Sequence, residues 1–229
     1  MPIRHAATTG ALATEAVPMS DEPEVLQIVK RIGAFKTRDH FVGVSGLHFD
    51  SYMVKDILFA RPTEASRVGE LLALRNLDLD IEVVAGPATG GILLAQWTAF
   101  HLSRLKGQEV YAVFTEKAPD KGQILGRGYG DIVAGRKMLV LEDSVRTGGT
   151  VKKVLAAITA CGGEVTAVSA MFNVSPGKVT DATFGVPFRP LAEISVISYH
   201  VDDCPMCKQG IPVNVLFAHG KAFVESRSK

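Results

Sequence analysis

The chain has 229 residues, 47% of them hydrophobic and 21% charged, enough to bury one sizeable core. Its 25 Lys and Arg against 24 Asp and Glu leave a formal net charge of +1, which excludes bulk attraction to nucleic acid or to an anionic membrane, so any phosphate site must be local. No apolar run approaches the roughly 18 residues of a membrane span, and three cysteines, Cys161, Cys204 and Cys207, fit a reducing compartment better than a disulfide scaffold, so the expected location is cytoplasmic.

In chain order, residues 1–19 are small and polar with no signal-peptide core, and read as a disordered tail before a single domain over 20–229. Ser20 or Asp21 is predicted to cap a helix carrying Pro23 in its first turn and Val25, Leu26, Ile28, Val29 and Ile32 along it. Residues 41–59 mix aromatic and β-branched residues with Gly and read as short strands and turns. Then follow a helix over 63–76, a strand over 81–86, a helix over 91–107 ended by Gly107, and a strand over 110–117. A strand over 136–143, a helix over 150–163, a strand over 164–173 and a late strand over 191–199 complete the order. This alternation predicts an α/β fold with a central, mostly parallel sheet flanked by helices. Ligands of such sheets bind beyond the carboxyl ends of the strands.

One of those ends carries the chemistry. Glu142 and Asp143 close an apolar strand, and Ser144, Val145, Arg146, Thr147, Gly148, Gly149 and Thr150 lead straight into a helix. Successive backbone N–H groups, the helix dipole and the hydroxyls can surround a dianionic phosphate, and the two glycines permit close approach. Two carboxylates beside a phosphate would repel it unless they faced hydrogen-bond donors, and vicinal sugar hydroxyls are suitable donors. The pattern therefore points to a ribose 5-phosphate. A capped turn with solvated acids is the plainer alternative for Glu-Asp alone, and Thr-Gly-Gly-Thr argues against it. A dinucleotide fold is disfavoured, because residues 86–91, GPATGG, lack the G-x-G-x-x-G spacing.

Glu142 to Thr150 resembles the phosphoribosyl pyrophosphate (PRPP) motif of the type I phosphoribosyltransferases. The resemblance covers most of the chain and is closest to the bacterial orotate phosphoribosyltransferases. Residues 40–59 resemble the segment that forms a hood over the base, with Ser45 close to it; residues 86–91 resemble the pyrophosphate loop, with a non-proline cis bond at Ala88 to Thr89; residues 114–130 resemble the flexible catalytic loop; residues 203–212 resemble a C-terminal segment of longer members. The resemblance implies a small hood built from parts of 20–60 and the C-terminal segment. It implies transfer of phosphoribose to a nucleobase, most closely orotate, with release of pyrophosphate in nucleotide synthesis. A purine or other base, or a non-catalytic PRPP-binding regulator, is the alternative; no concentrated basic helix precedes Ile81, which disfavours a regulator that binds nucleic acid.

The roles implied are ribose hydroxyls on Glu142 and Asp143, the 5-phosphate on Ser144 to Thr150, and pyrophosphate on the backbone of Ala88, Thr89 and Gly90. Lys117 and Arg127, with Asp143, are the expected catalytic residues, and Lys121 an additional contact to the leaving group. Magnesium is expected to be bound mainly through PRPP, without a dedicated protein site, and the assembly to be a homodimer with no nucleic-acid or membrane partner.

The departures from the family pattern fall at the base. Val44 and Val174 occupy two positions where orotate enzymes usually carry a cation, and Arg146 sits where they carry a small hydroxyl residue and purine enzymes an Asp. Arg stays protonated and cannot act as a base, but can pair bidentately with a carboxylate. Trp97 reads as helix packing and His48 as a structural histidine. Cys204 and Cys207 have the spacing of a zinc knuckle, for which His200 or a symmetry mate would have to supply further ligands.

Overall fold

The computed structural model describes residues 22–227; the tail expected at 1–19 and the capping residues Ser20 and Asp21 lie outside them. Helix α1 (Glu24–Arg31) starts after Pro23, which sits at the cap position, not in the first turn, and it buries Val25, Ile28 and Val29. Strands β1 (Phe35–Val42) and β2 (His48–Met53) form an antiparallel hairpin with a register break between Thr37 and Phe41, where Arg38 adopts φ 59°. Residues 55–59, expected among strands and turns, are instead helix α2 (Lys55–Phe59).

The α/β alternation follows as α3 (Pro62–Arg75), β3 (Val83–Pro87), α4 (Gly90–Lys106), β4 (Tyr111–Lys117), β5 (Gln123–Ile124), α5 (Tyr129–Val133), β6 (Lys137–Val145), α6 (Gly149–Ala160), β7 (Glu164–Asn173), α7 (Asp181–Phe184) and β8 (Phe188–Glu193). A 3₁₀ turn at Val201–Asp203, α8 (Pro205–Lys208) and α9 (Gly220–Arg227) end the described chain. The six-stranded sheet has the order β5-β4-β3-β6-β7-β8, and every pair is parallel except β4 with β5.

Alternate residues of the central strands feed two cores. Val84, Leu139 and Leu141 pack with Val68, Leu72, Leu94 and Leu102 under α3 and α4. Val83, Ala85 and Val140 pack with Val151, Val154 and Ile158 under α6. Burying both faces requires apolar residues at every position, which is why β3 reads as an unbroken apolar run. Trp97 lies in the α3–α4 contact, as expected: a Cβ on Gly69 would stand 2.4 Å from its own.

The late strand departs from expectation. Strand β8 spans 188–193, pairing Phe188 through Glu193 with β7; beyond Glu193, β7 has ended and no partner strand remains. Residues 194–198 lie outside regular secondary structure, and Tyr199 bridges to His48 of the hairpin. Strand order reverses around β3, with β4 on one side and β6 on the other, which makes the carboxyl ends of these three strands the switch point where α/β sheets bind ligands.

Candidate active site

Three cavities meet at that switch point. A pocket of about 140 Å³ is lined by Glu142 and Ser144 through Val151. Here Gly148 adopts φ 76°, and a Cβ on it would lie 2.7 Å from the Phe184 ring, so only glycine lets the loop turn into α6. Backbone N–H groups of the first turn of this 12-residue helix have no intrahelical acceptor and face an incoming anion.

The second cavity, about 530 Å³, is polar and cationic. Pro87, Ala88, Thr89 and Gly90 line one side, and Lys55, Lys117, Lys121 and Lys153 contribute ammonium groups. The Ala88 to Thr89 peptide is cis, as expected. Thr89 caps α4, so this loop too presents a helix N-terminus. A Cβ on Gly90 would stand 2.7 Å from Asp143 Oδ2, so bare backbone there lets the Asp143 carboxylate lie against the loop.

The third cavity, about 370 Å³, is more apolar and is roofed by the hairpin: Val44, Ser45, Phe49 and Tyr52 face Phe172, Val174, Ile194 and Val196. Arg146 reaches its rim with the guanidinium carbon 5.8 Å from the centroid of Phe49. Arg146 is exposed at this rim, and partial desolvation there shifts its pKa downward, a shift that an anionic partner would oppose. Val44 and Val174 both line this cavity, so the two positions expected to carry cations border it with apolar side chains.

Glu142, Asp143 and Ser144 join these spaces. Lys55 Nζ lies 2.6 Å from Asp143 Oδ2. Burial alone would lower the pKa of Lys55, but the Asp143 charge and hydrogen bond outweigh it and the net shift is upward. Glu142 accepts from the Asp143 backbone N–H at 3.0 Å, and burial, reinforced by the Asp143 charge, raises its pKa to about 8. A carboxyl whose folded pKa lies above its ordinary value contributes stability that is fully present at pH 4 and lost as pH rises through about 8. Glu142→Gln, fixed in the neutral form, is expected to raise Tm at pH 9 and to change it little at pH 5. Thermal denaturation at the two pH values checks this; equal shifts at both would contradict it.

Of the residues singled out from sequence, Glu142 to Thr150, Ala88 to Gly90, Lys117, Lys121 and Ser45 all line one of these cavities. Arg127 lines none of the three. It pairs with Glu116 at 2.8 Å and lies over the Phe114 ring. Two cations escaped the sequence reading. Lys55, at the start of α2, touches both the second and third cavities, and Lys153 lies one helical turn beyond Thr150, bonding the Lys121 carbonyl at 2.6 Å.

The phosphoribosyl transferase domain family matches residues 55–202, from Lys55 past the last strand. The chain belongs to the phosphoribosyltransferase family. Among its relatives, the orotate phosphoribosyltransferase of Caldanaerobacter subterraneus subsp. tengcongensis is 36% identical over 193 residues, 84% of this chain and 95% of the relative. That of Carboxydothermus hydrogenoformans is 39% identical over 76% of this phosphoribosyltransferase and 86% of its own length. In fold, it superimposes on Mycobacterium tuberculosis orotate phosphoribosyltransferase in complex with inorganic phosphate, with TM-score 0.60 and 20% identity over 76% of this chain and 97% of that one. The architecture is therefore the type I phosphoribosyltransferase sheet with a hairpin hood, and the protein is a glycosyltransferase by family.

Proposed function

We propose that this phosphoribosyltransferase joins orotate to PRPP and releases pyrophosphate, as its relatives' names indicate for them. The carrying observation is the junction: the pyrophosphate-like cleft and the apolar cavity share Lys55, Asp143 and Ser144, so a sugar held there has its anomeric carbon between leaving group and base. The anomeric bond to pyrophosphate breaks as the bond to the base nitrogen forms, through an oxocarbenium-like transition state, and the proton of that nitrogen leaves to the departing pyrophosphate or to water.

In this reading Ser144 to Thr150 hold the 5-phosphate, and Glu142 and Asp143 accept from the ribose hydroxyls. The backbone of Ala88 to Gly90, with Lys117, Lys121 and Lys153, receives pyrophosphate, while Arg146 faces the base. Arg127 stands outside these cavities, paired with Glu116. Magnesium fits the donor set: two half-buried carboxylates border the cleft, and among the described residues no group of three His, Cys, Asp or Glu side chains gathers in it, as suits a metal held mainly by substrate phosphates and water. When bound, it would neutralise charge on the leaving pyrophosphate. Exposed Leu93 and Phe100 on α4 support a homodimer, and free cysteines support a cytoplasmic location.

Calorimetry of PRPP with magnesium tests the donor site. Asp143→Asn removes negative charge near an anion and releases Lys55, so a purely electrostatic role predicts tighter binding. Acceptance from ribose predicts the reverse, a loss of about fivefold for about 1 kcal/mol. Equal or tighter binding in the variant would contradict the ribose assignment.

A further inference from the structure

We propose that His40, His48, Cys204 and Cys207 form a structural zinc site that clamps the C-terminal segment onto the hairpin. One potential ligand atom from each residue lies within 4.8 Å of all the others. The partners foreseen for the two thiols were His200 or a symmetry mate; the structure supplies two histidines from the hairpin of the same chain, 164 residues from Cys204 in the case of His40.

Three of the ligand–ligand distances match the edges of a zinc tetrahedron and a fourth is shorter. Zinc bonds of about 2.0 Å to nitrogen and 2.3 Å to sulfur give ligand–ligand edges of about 3.3–3.8 Å. Cys204 Sγ lies 3.6 Å from His40 Nε2, Cys207 Sγ 3.5 Å from His48 Nδ1 and 3.8 Å from His40 Nε2. His40 Nε2 and His48 Nδ1 are nearer, at 2.7 Å, and a metal between them would part them by about 0.6 Å.

The surroundings orient His40 as a metal site requires, whereas His48 Nε2 is buried without a hydrogen-bond partner among the described residues. His40 Nδ1 lies 2.7 Å from the Ile211 carbonyl, which can only accept, so Nδ1 carries the proton and Nε2 turns its lone pair to the cluster. The Cys207 backbone N–H donates to Cys204 Sγ at 3.5 Å, a bond that stabilises thiolate, and Pro205 fixes the turn between them. Two sulfurs and two imidazoles select zinc over hard cations. A redox pair is the rival use of C-x-x-C; Cys204 is 0% exposed and Cys207 partly exposed, but histidine nitrogens stand beside both sulfurs, which favours a metal over a dithiol.

The clamp has a place to act. Backbone bonds already lace the same segments together: His48 with Tyr199 in both directions at 2.9 and 2.8 Å, Asn214 N–H to the His40 carbonyl at 2.8 Å, and His219 N–H to the Val42 carbonyl at 2.9 Å. The turn between His40 and His48 carries Val44 and Ser45 of the third cavity. An isolated two-stranded hairpin is marginal in water, so a metal cross-link between the hairpin and the C-terminal segment would brace the roof of that cavity.

The test measures metal in the full-length protein purified reduced and without chelator. Elemental analysis should find about one zinc per chain, and cobalt substitution should give the intense visible bands of a tetrahedral thiolate site. Cys207→Ser and, independently, His48→Asn should lower zinc affinity at least tenfold, whereas Cys161→Ser should leave it unchanged. If a variant fails to fold, chelator competition on the parent protein still reads the affinity. Absence of zinc from the parent after reduction and incubation with zinc, unchanged affinity in both ligand variants, or a Cys204–Cys207 disulfide in the metal-free native protein would overturn the proposal. Zinc removal should also raise KM for the base more than for PRPP. That kinetic arm rests on the base-cavity reading, while metal content and spectrum do not, so the two failures are distinguishable.

Discussion

Lys117→Ala is expected to lower kcat about 100- to 1000-fold while changing KM for PRPP by only a fewfold. Lys117 ends β4 in register with Gln123 and lines the cationic cleft, held by the sheet and not by a free loop. Charge on pyrophosphate grows as the anomeric bond breaks, so a fixed ammonium gains most in the transition state, a contribution of about 2.7–4 kcal/mol for one such group. Lys121 and Lys153 remain in the variant and still attract the ground-state anion, which limits the rise in KM. Steady-state kinetics separate the effects; a change confined to KM would show that Lys117 only binds.

Arg146→Thr is expected to reduce kcat/KM for orotate about 10- to 100-fold and to leave uracil nearly unaffected. Lys55 and Arg146 are the cations lining the apolar cavity, and Lys55 is engaged by Asp143. Arg146 makes no ion pair among the described residues; its guanidinium carbon lies 5.8 Å from the Phe49 ring centroid at the rim of the cavity, open to an anionic partner. A bidentate pair with a carboxylate inside such a site contributes about 1.5–3 kcal/mol. Uracil lacks that carboxylate. An equal loss for both bases would assign Arg146 to pyrophosphate or to the sugar instead, and a loss restored by Lys but not Thr at 146 would show that charge alone suffices.

The PRPP half of this site was legible in the sequence because its parts are contiguous. An apolar strand, two acids, a glycine turn and a helix follow one another over residues 138–155, and local rules fix where each must lie. The base half is assembled from the hairpin, the Asn173 end of β7 and the run after β8, segments distant in sequence whose meeting no local rule predicts. Lys153 had a signal that went unused: three residues after Thr150, on the same helix, it shares that residue's face. Lys55 had none, since its partner Asp143 lies 88 positions away. The histidine pair would have followed from a correct hairpin register, because Val42 pairs with His48, and His40 lies two residues before Val42 on the same face. The late strand was overextended because Ile194 and Val196 keep a strand's alternation while lining a cavity and not a sheet.

The base specificity can be measured directly. Purified protein supplied with PRPP and magnesium, and with orotate, uracil, hypoxanthine, guanine, xanthine or adenine in separate reactions, is followed by pyrophosphate release. Release is expected with orotate at the highest kcat/KM of the six, with one pyrophosphate formed per orotate consumed. Release with a purine in preference to orotate, or no release with orotate at all, would contradict it.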